Sequence, residues 1–99
     1  MLKIEKKITG NELSLALTGR LDTTTAPQLE AELKENLAGI TNLVFDFSDL
    51  EYISSAGLRV LLSAQKTMNK QGSMVVKNSQ EAIREIFEVT GFSDILIVE

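Results

Sequence analysis

Short β-prone segments alternate with segments of helical period along most of this 99-residue chain. Three apolar segments have the composition of short strands, at Leu43–Phe47, Met74–Val76 and Ile95–Val98. A segment with apolar residues at helical spacing precedes each of them. This alternation predicts parallel strands joined by right-handed crossovers. Because the chain offers only three helices, we expect a two-layer α/β domain whose helices pack mainly on one face of the sheet.

The three predicted helices differ in how they begin and in which residues they bury. Asp22–Pro27 is typical of a helix start, and Thr25 with Gln28 fits a capping box. The apolar stripe of this first helix is predicted to consist of Ala26, Leu29, Leu33, Leu37 and Ile40. The second helix is predicted from about Gly57 to Gln71, and the third follows a cap at Asn78. The buried face of the third helix is predicted to consist of Ala82, Ile83, Ile86, Phe87 and Val89.

The N-terminal residues predict a β-hairpin. Apolar Leu2 and Ile4 alternate with charged residues, and a turn-forming cluster follows at Thr9–Glu12. The second strand carries its apolar residues at the alternate positions Leu13, Leu15 and Leu17. A hairpin makes these two strands antiparallel. We therefore expect a mixed sheet of four to five strands with an N-terminal hairpin, within one domain over residues 1–99.

The composition excludes several kinds of chemistry. The chain has no cysteine and no histidine, which removes disulfides, thiolate catalysis, the usual general base and the commonest metal ligands. A net charge of −4 disfavours nucleic acid or an anionic membrane as a partner. The charged N-terminal residues do not fit a signal peptide, and no apolar run reaches the roughly 18 residues of a membrane span. We therefore expect a cytoplasmic domain that neither inserts into membranes nor binds nucleic acid.

The residues between the predicted strand at Leu43–Phe47 and the second helix are the candidate functional segment. Function in α/β sheets collects beyond the carboxyl ends of parallel strands, and Ser48–Ser55 occupies that position. The loop centred on Asp22 follows the preceding strand and is expected beside it. Ser54 and Ser55 stand where a helix begins, so a serine there either caps the helix or accepts a phosphoryl group from a kinase.

Four motifs extend over essentially the whole chain. The first is Leu-Thr-Gly-Arg-Leu-Asp at 17–22, and the second is Asp-Leu-Glu-Tyr-Ile-Ser-Ser-Ala-Gly-Leu at 49–58. The third is the strand segment Gly72–Val76, and the fourth is Thr-Gly-Phe at 90–92. In this order and spacing the chain resembles the STAS-domain family, in particular the anti-sigma factor antagonists of bacteria.

The resemblance implies a switch that is controlled by phosphorylation. In such antagonists the serine two positions before the glycine of the second helix is the phosphoacceptor, which here is Ser55. The partner is a serine kinase that is also the anti-sigma factor. The unphosphorylated domain binds it and frees the sigma factor, whereas the phosphorylated domain releases it. A serine phosphatase is a further candidate partner. The residues expected to contact the partner are Asp22, Thr24, Ser54, Ala56, Gly57, Leu58 and Arg59.

One position departs from the family pattern and supports an alternative. Phosphorylated members often carry an aspartate directly before the acceptor, and this chain has Ser54 there. The alternative hypothesis is a STAS scaffold subunit of a lipid-transport or sensory complex that is never phosphorylated.

An enzyme is the least favoured class for this sequence. Without histidine or cysteine, a nucleophilic serine needs a lysine base, and no Ser-x-x-Lys motif surrounds Ser54 and Ser55. The chain also lacks a glycine-rich phosphate loop and a Gly-x-Ser-x-Gly motif. Asp46, Asp49 and Glu51 are close in sequence, but Asp46 is expected on a strand and Asp49 in a turn. We therefore predict no metal and no cofactor, and we expect a monomer.

Overall fold

The computed structural model describes residues 1–99 as a four-stranded sheet with three α-helices. The strands are β1 (Leu2–Thr9), β2 (Glu12–Leu21), β3 (Asn42–Ile53) and β4 (Ser73–Lys77). The helices are α1 (Ala26–Asn36), α2 (Ser55–Gln71) and α3 (Glu81–Thr90), followed by a short 3-10 helix at Phe92–Asp94. None of the helices is both long enough and apolar enough to cross a membrane.

The strands lie in the order β1-β2-β3-β4. β1 pairs antiparallel with β2, with Thr9 opposite Glu12 at the turn, which confirms the predicted hairpin. β2 pairs parallel with β3, and β3 pairs parallel with β4. Since successive crossovers advance in one direction across the sheet and crossovers of this kind are right-handed, α1 and α2 lie on the same face. The predicted mixed α/β fold is therefore confirmed.

The hydrophobic core lies between the sheet and the helices. Alternate residues of the central strands point into it and are buried: Leu13, Leu15, Leu17, Leu43, Phe45 and Phe47. Leu29 of α1 and Leu61 and Met68 of α2 complete the same cluster and are fully buried. The opposite face of the sheet is only partly covered, because Ser14 and Asp46 there remain half-exposed. One packed face and one open face are the arrangement expected of a two-layer domain.

β3 is longer than the sequence pattern predicted. We predicted that it ends at Phe47, whereas it continues to Ile53 and pairs with β2 to the end. Leu50 and Ile53 are buried at a spacing of three residues rather than two, because the β2–β3 pairing contains two register irregularities. Such irregularities break the alternation that identifies a strand. Most of the segment predicted as a loop is therefore strand.

The helix starts also differ from prediction. α2 begins at Ser55, two residues before the predicted Gly57. Thr25 does not form the predicted capping box with Gln28, because its side chain makes no cap bond. Asn78 does not cap α3, because it adopts a positive φ of 61° and donates to the Asp46 carboxylate.

The predicted last strand is reduced to one contact. The chain turns through the 3-10 helix at Phe92–Asp94, and only Val98 forms a bridge, parallel to Val76 of β4. Of the predicted α3 face only Ile83 and Phe87 are buried, whereas Ile86 is half-buried and Ala82 and Val89 are exposed. β4 has only five residues, so it offers few backbone groups with which a fifth strand could pair. Ala82 and Val89 are exposed because they do not pack against the core.

Candidate functional site

The ends of β2 and β3 place two loops side by side at one edge of the sheet. Leu21, the last residue of β2, lies opposite Ile53, the last residue of β3. The Ser54 backbone N–H donates to the Leu21 carbonyl oxygen at 2.9 Å. The loop that begins at Asp22 and the start of α2 are therefore neighbours, at the edge where parallel strands present their carboxyl ends.

The two adjacent serines have different environments. Ser54 is the N-cap of α2, with extended backbone angles, and its hydroxyl accepts a hydrogen bond from the Gly57 backbone N–H at 3.4 Å. Ser55 is the first residue of the helix, is exposed, and its hydroxyl makes no hydrogen bond within the chain. The structure therefore gives the capping task to Ser54 and leaves the Ser55 hydroxyl free.

Asp22 organises the turn that leads into α1. One oxygen of its carboxylate accepts from the Thr24 hydroxyl at 2.7 Å, the Thr24 backbone N–H at 3.0 Å and the Thr25 backbone N–H at 3.1 Å. The Thr24 hydroxyl is the largest cause that lowers the pKa of Asp22 below its ordinary value, and the Thr25 donors add to it against partial desolvation. The second carboxylate oxygen lies 3.9 Å from the Arg20 Nε. The second oxygen accepts no hydrogen bond within the chain.

The lowered pKa of Asp22 predicts a pH-dependent contribution to stability. Because the folded pKa lies below the unfolded one, the stabilisation is fully present above the unfolded value and is lost as the pH falls through the folded value. We expect Asp22→Asn to lower the free energy of unfolding most at about pH 7, and the loss to shrink as the pH is lowered toward about 2. Urea titrations of both proteins across this range measure the difference. A difference in unfolding free energy that is constant with pH contradicts the prediction. Thr24→Val, which removes a hydroxyl that donates to the Asp22 carboxylate, should make the pH-dependent part of the difference smaller.

Gly57 marks the point where α2 approaches the ends of the strands most closely. A Cβ atom built on Gly57 lies 2.8 Å from the Leu21 Cγ and 2.9 Å from the Ile53 Cγ1. Distances below 3.0 Å are not tolerated between carbon atoms, so this position admits only glycine without a shift of buried neighbours. Gly57 and Leu58 are buried, whereas Ala56 is half-buried and Arg59 is exposed.

The structure also brings together a pair that the sequence analysis missed. Arg20 and Tyr52 are opposite each other in the β2–β3 register, and the Arg20 guanidinium carbon lies 4.3 Å from the centroid of the Tyr52 ring. This is a cation–π contact. It lies beside the Asp22 carboxylate, which ties the Arg20 side chain to the start of the Asp22 turn. The register of the two strand ends was the missing information, because Tyr52 was expected in a loop.

A shallow depression separates the N-terminal halves of α1 and α2. It is lined by Thr23, Ala26, Pro27, Glu30, Ala56, Arg59 and Val60. Four of the seven lining residues are apolar and three are polar or charged, so the depression is an open groove of mixed polarity rather than a closed ligand cavity. Three of its lining residues, Ala56, Arg59 and Val60, belong to α2 and follow Ser55 in the chain.

The carboxylates near the site do not gather into a cluster. Asp46 accepts from the Ser48 backbone N–H at 3.0 Å and from the Asn78 side-chain amide at 3.2 Å. The Ser48 N–H is the largest cause that lowers the pKa of Asp46. No group of three or more carboxylates in the structure lies close enough together to hold a metal ion.

Comparison with known proteins assigns the family. The sequence model of the STAS domain matches residues 3–99, which is almost the whole chain. The chain belongs to the STAS domain family. Its resemblance to that family, inferred from four motifs, is thereby confirmed.

Two relatives of this STAS domain are named as antagonists of anti-sigma factors. A candidate anti-sigma factor antagonist of Bordetella bronchiseptica, BtrV, is 41% identical over 88 residues, which are 87% of this chain and 76% of that protein. The anti-sigma-B factor antagonist of Bacillus subtilis is 28% identical over 96 residues, which are 96% of this chain and 88% of that protein. An antagonist of this kind acts by binding another protein, in agreement with the prediction that this STAS domain is not an enzyme.

Two solved structures of proteins named SpoIIAA, one unphosphorylated and one phosphorylated, have the same fold as this chain. The anti-sigma factor antagonist SpoIIAA in its unphosphorylated form is 18% identical, with a TM-score of 0.76, and the match covers 100% of this chain and 87% of that one. The Bacillus cell fate determinant SpoIIAA in the phosphorylated form is 19% identical, with a TM-score of 0.75, and the match covers 100% of this chain and 91% of that one. At these identities the likeness establishes the fold alone.

Proposed function

We propose that this STAS domain is an anti-sigma factor antagonist that binds an anti-sigma factor with serine kinase activity and is released when Ser55 is phosphorylated. The observation that carries the proposal is the exposed Ser55 hydroxyl, which makes no hydrogen bond at the first position of α2. Such a hydroxyl can enter the active site of a kinase without unfolding of the helix. The names of the relatives and the existence of a phosphorylated form of SpoIIAA support the same assignment.

The position of Ser55 lets the fold survive the modification. A phosphoserine carries roughly −1.5 to −2 charges and three acceptor oxygens. At the N-terminus of a helix, unpaired backbone N–H groups and the helix dipole stabilise negative charge by about 0.3–1 kcal/mol. α2 has no acidic residue in its first turn that would repel the phosphate. Phosphorylation therefore changes the surface and leaves the packing intact.

The surface around Ser55 offers the partner a continuous contact region. We assign to it Ser55 and the exposed or half-exposed members of the predicted contact set, which are Asp22, Thr24, Ser54, Ala56 and Arg59. Gly57 and Leu58 are buried below this surface, so they do not contact the partner directly. They pack the start of α2 against the ends of the strands. When a partner covers this region, a phosphate on Ser55 loses its water or meets like charge, and both weaken the complex.

The alternative is a scaffold subunit that is never phosphorylated, and it follows from Ser54. In this chain the residue before the acceptor is an N-cap whose hydroxyl is engaged, so no carboxylate lies directly before Ser55. If a kinase needs such a carboxylate, Ser55 stays unmodified and the region serves only for assembly.

Phosphorylation in a lysate of the host distinguishes the two functions. We expect intact-mass spectrometry to show one added phosphate after incubation with ATP, in the wild type and in Ser54→Ala but not in Ser55→Ala. Ser54→Ala is the matched control, because it removes the neighbouring hydroxyl and keeps the acceptor. A phosphate that persists in Ser55→Ala refutes the assignment of the acceptor. No phosphate in any protein, together with a stable complex in a pull-down, supports the scaffold function instead.

A further inference from the structure

Arg59 is the one arginine of the chain without a partner. Arg20 pairs with Asp22 and stacks on Tyr52, and Arg84 donates to the Ser79 carbonyl oxygen at 3.0 Å. Arg59 is exposed and makes neither an ion pair nor a hydrogen bond. An arginine presents five donors in a planar fork that fits two oxygens of a phosphate at once.

Arg59 also has no carboxylate within ion-pair distance. α2 contains three cations and no acidic residue between Ser55 and Gln71. The one acidic residue that lines the depression is Glu30, and its carboxylate lies 3.9 Å from the Lys34 Nζ. The guanidinium is therefore free in a protein whose net charge is −4.

Ser55 and Arg59 are four residues apart on the same helix, within α2. Residues at this spacing are neighbours on the helix surface, with Cβ atoms about 5–6 Å apart. Helical side chains lean toward the N-terminus, which favours contact between the Arg59 side chain and a group carried by Ser55. An anion that precedes a cation by four residues is also the favourable order for such a pair.

From these observations we infer that Arg59 binds the phosphate on Ser55 and so takes part in the switch. In the unphosphorylated protein the guanidinium is offered to the partner as a positive charge. After phosphorylation it pairs with the phosphoserine of its own helix, and the local charge changes from +1 to about −1. Phosphorylation thus adds a negative charge to the contact region and also makes the positive charge of Arg59 unavailable to the partner. This inference deepens the proposed function, since it assumes that Ser55 is the acceptor.

Phosphorus-31 NMR tests the pairing without a kinase or a partner. Phosphoserine is incorporated at position 55 during translation, and its second ionisation, near a pKa of about 6, is titrated in four proteins. We expect the phosphate of the Arg59→Gln protein to titrate at a pKa about 0.3 higher than that of the wild type, because a cation at this spacing favours the dianion. Arg59→Lys should retain part of the effect, as a point charge without the fork.

Lys66→Gln is the matched control. Lys66 is an unpaired, exposed cation on the same helix, eleven residues or about 16 Å along the axis from position 55, which exceeds the screening length at physiological salt. We expect the phosphate of the Lys66→Gln protein to titrate at the same pKa as that of the wild type. Equal pKa values in wild type and Arg59→Gln overturn the inference, as does an equal rise in Lys66→Gln. Because this phosphoserine is installed synthetically, the result stands even if no kinase modifies Ser55, which separates failure of the inference from failure of the proposed function.

Discussion

Gly57→Ala is expected to lower the free energy of unfolding by about 2 kcal/mol. In an ordinary helix position the same change is stabilising by about 1 kcal/mol, because alanine has the higher helix propensity. Here the new methyl group would lie 2.8 Å from the Leu21 Cγ and 2.9 Å from the Ile53 Cγ1, both in fully buried side chains. Overpacking of this kind costs up to about 3 kcal/mol, which exceeds the gain in propensity. Chemical denaturation monitored by circular dichroism measures the change.

Two further variants isolate the steric cause. Ser63→Ala changes an exposed position of the same helix and should leave stability within about 0.5 kcal/mol of the wild type. In a double-mutant cycle with Leu21→Ala, which removes two of the overlapping atoms, the combined loss should be smaller than the sum of the single losses. A Gly57→Ala protein that is more stable than the wild type would show that α2 does not approach the strand ends this closely.

Phosphorylation of Ser55 is expected to weaken binding of the anti-sigma partner by at least about 100-fold, or roughly 2.7 kcal/mol. Burial of a dianion that the partner does not pair explains this magnitude. Isothermal titration of the purified partner with the wild type, with Ser55→Ala and with the protein that carries phosphoserine at position 55 measures it. Ser55→Ala should keep the helix and bind far more tightly than the phosphoserine protein, because the hydroxyl makes no internal hydrogen bond whose loss could alter the helix.

A second phosphoserine protein controls for charge alone. Ser93 is exposed in the 3-10 helix that follows α3, outside the loops at the ends of β2 and β3 and outside the proposed contact region. Phosphoserine at position 93 should leave the affinity within about threefold of the wild type, since exposed charges outside a contact surface contribute little and are screened by salt. An equal loss with either phosphoserine would mean that net charge, rather than the site, governs binding.

The candidate site was predictable where local sequence carries the signal. The serine pair, the glycine that follows and the Asp22 loop lie where the strand–helix order placed them, at one edge of the sheet. The Arg20–Tyr52 pair was not predictable, because Tyr52 belongs to the part of β3 that was expected to be loop. That part of β3 was not recognised as a strand because its buried residues Leu50 and Ile53 are three residues apart, whereas a regular strand buries every second residue.

The sequence by itself determined the types of most elements, the hairpin and the family, because hydrophobic period, turn residues and motifs are properties of neighbouring residues. Only the tertiary structure decided which serine caps α2 and which is free. That distinction depends on where β3 ends and on the bond between the Ser54 N–H and the Leu21 carbonyl, which joins residues 33 positions apart. The requirement for glycine at position 57 likewise arises from contact with distant strand ends. Hydrogen-bond register and burial depend on contacts between segments, and a local pattern contains no record of them.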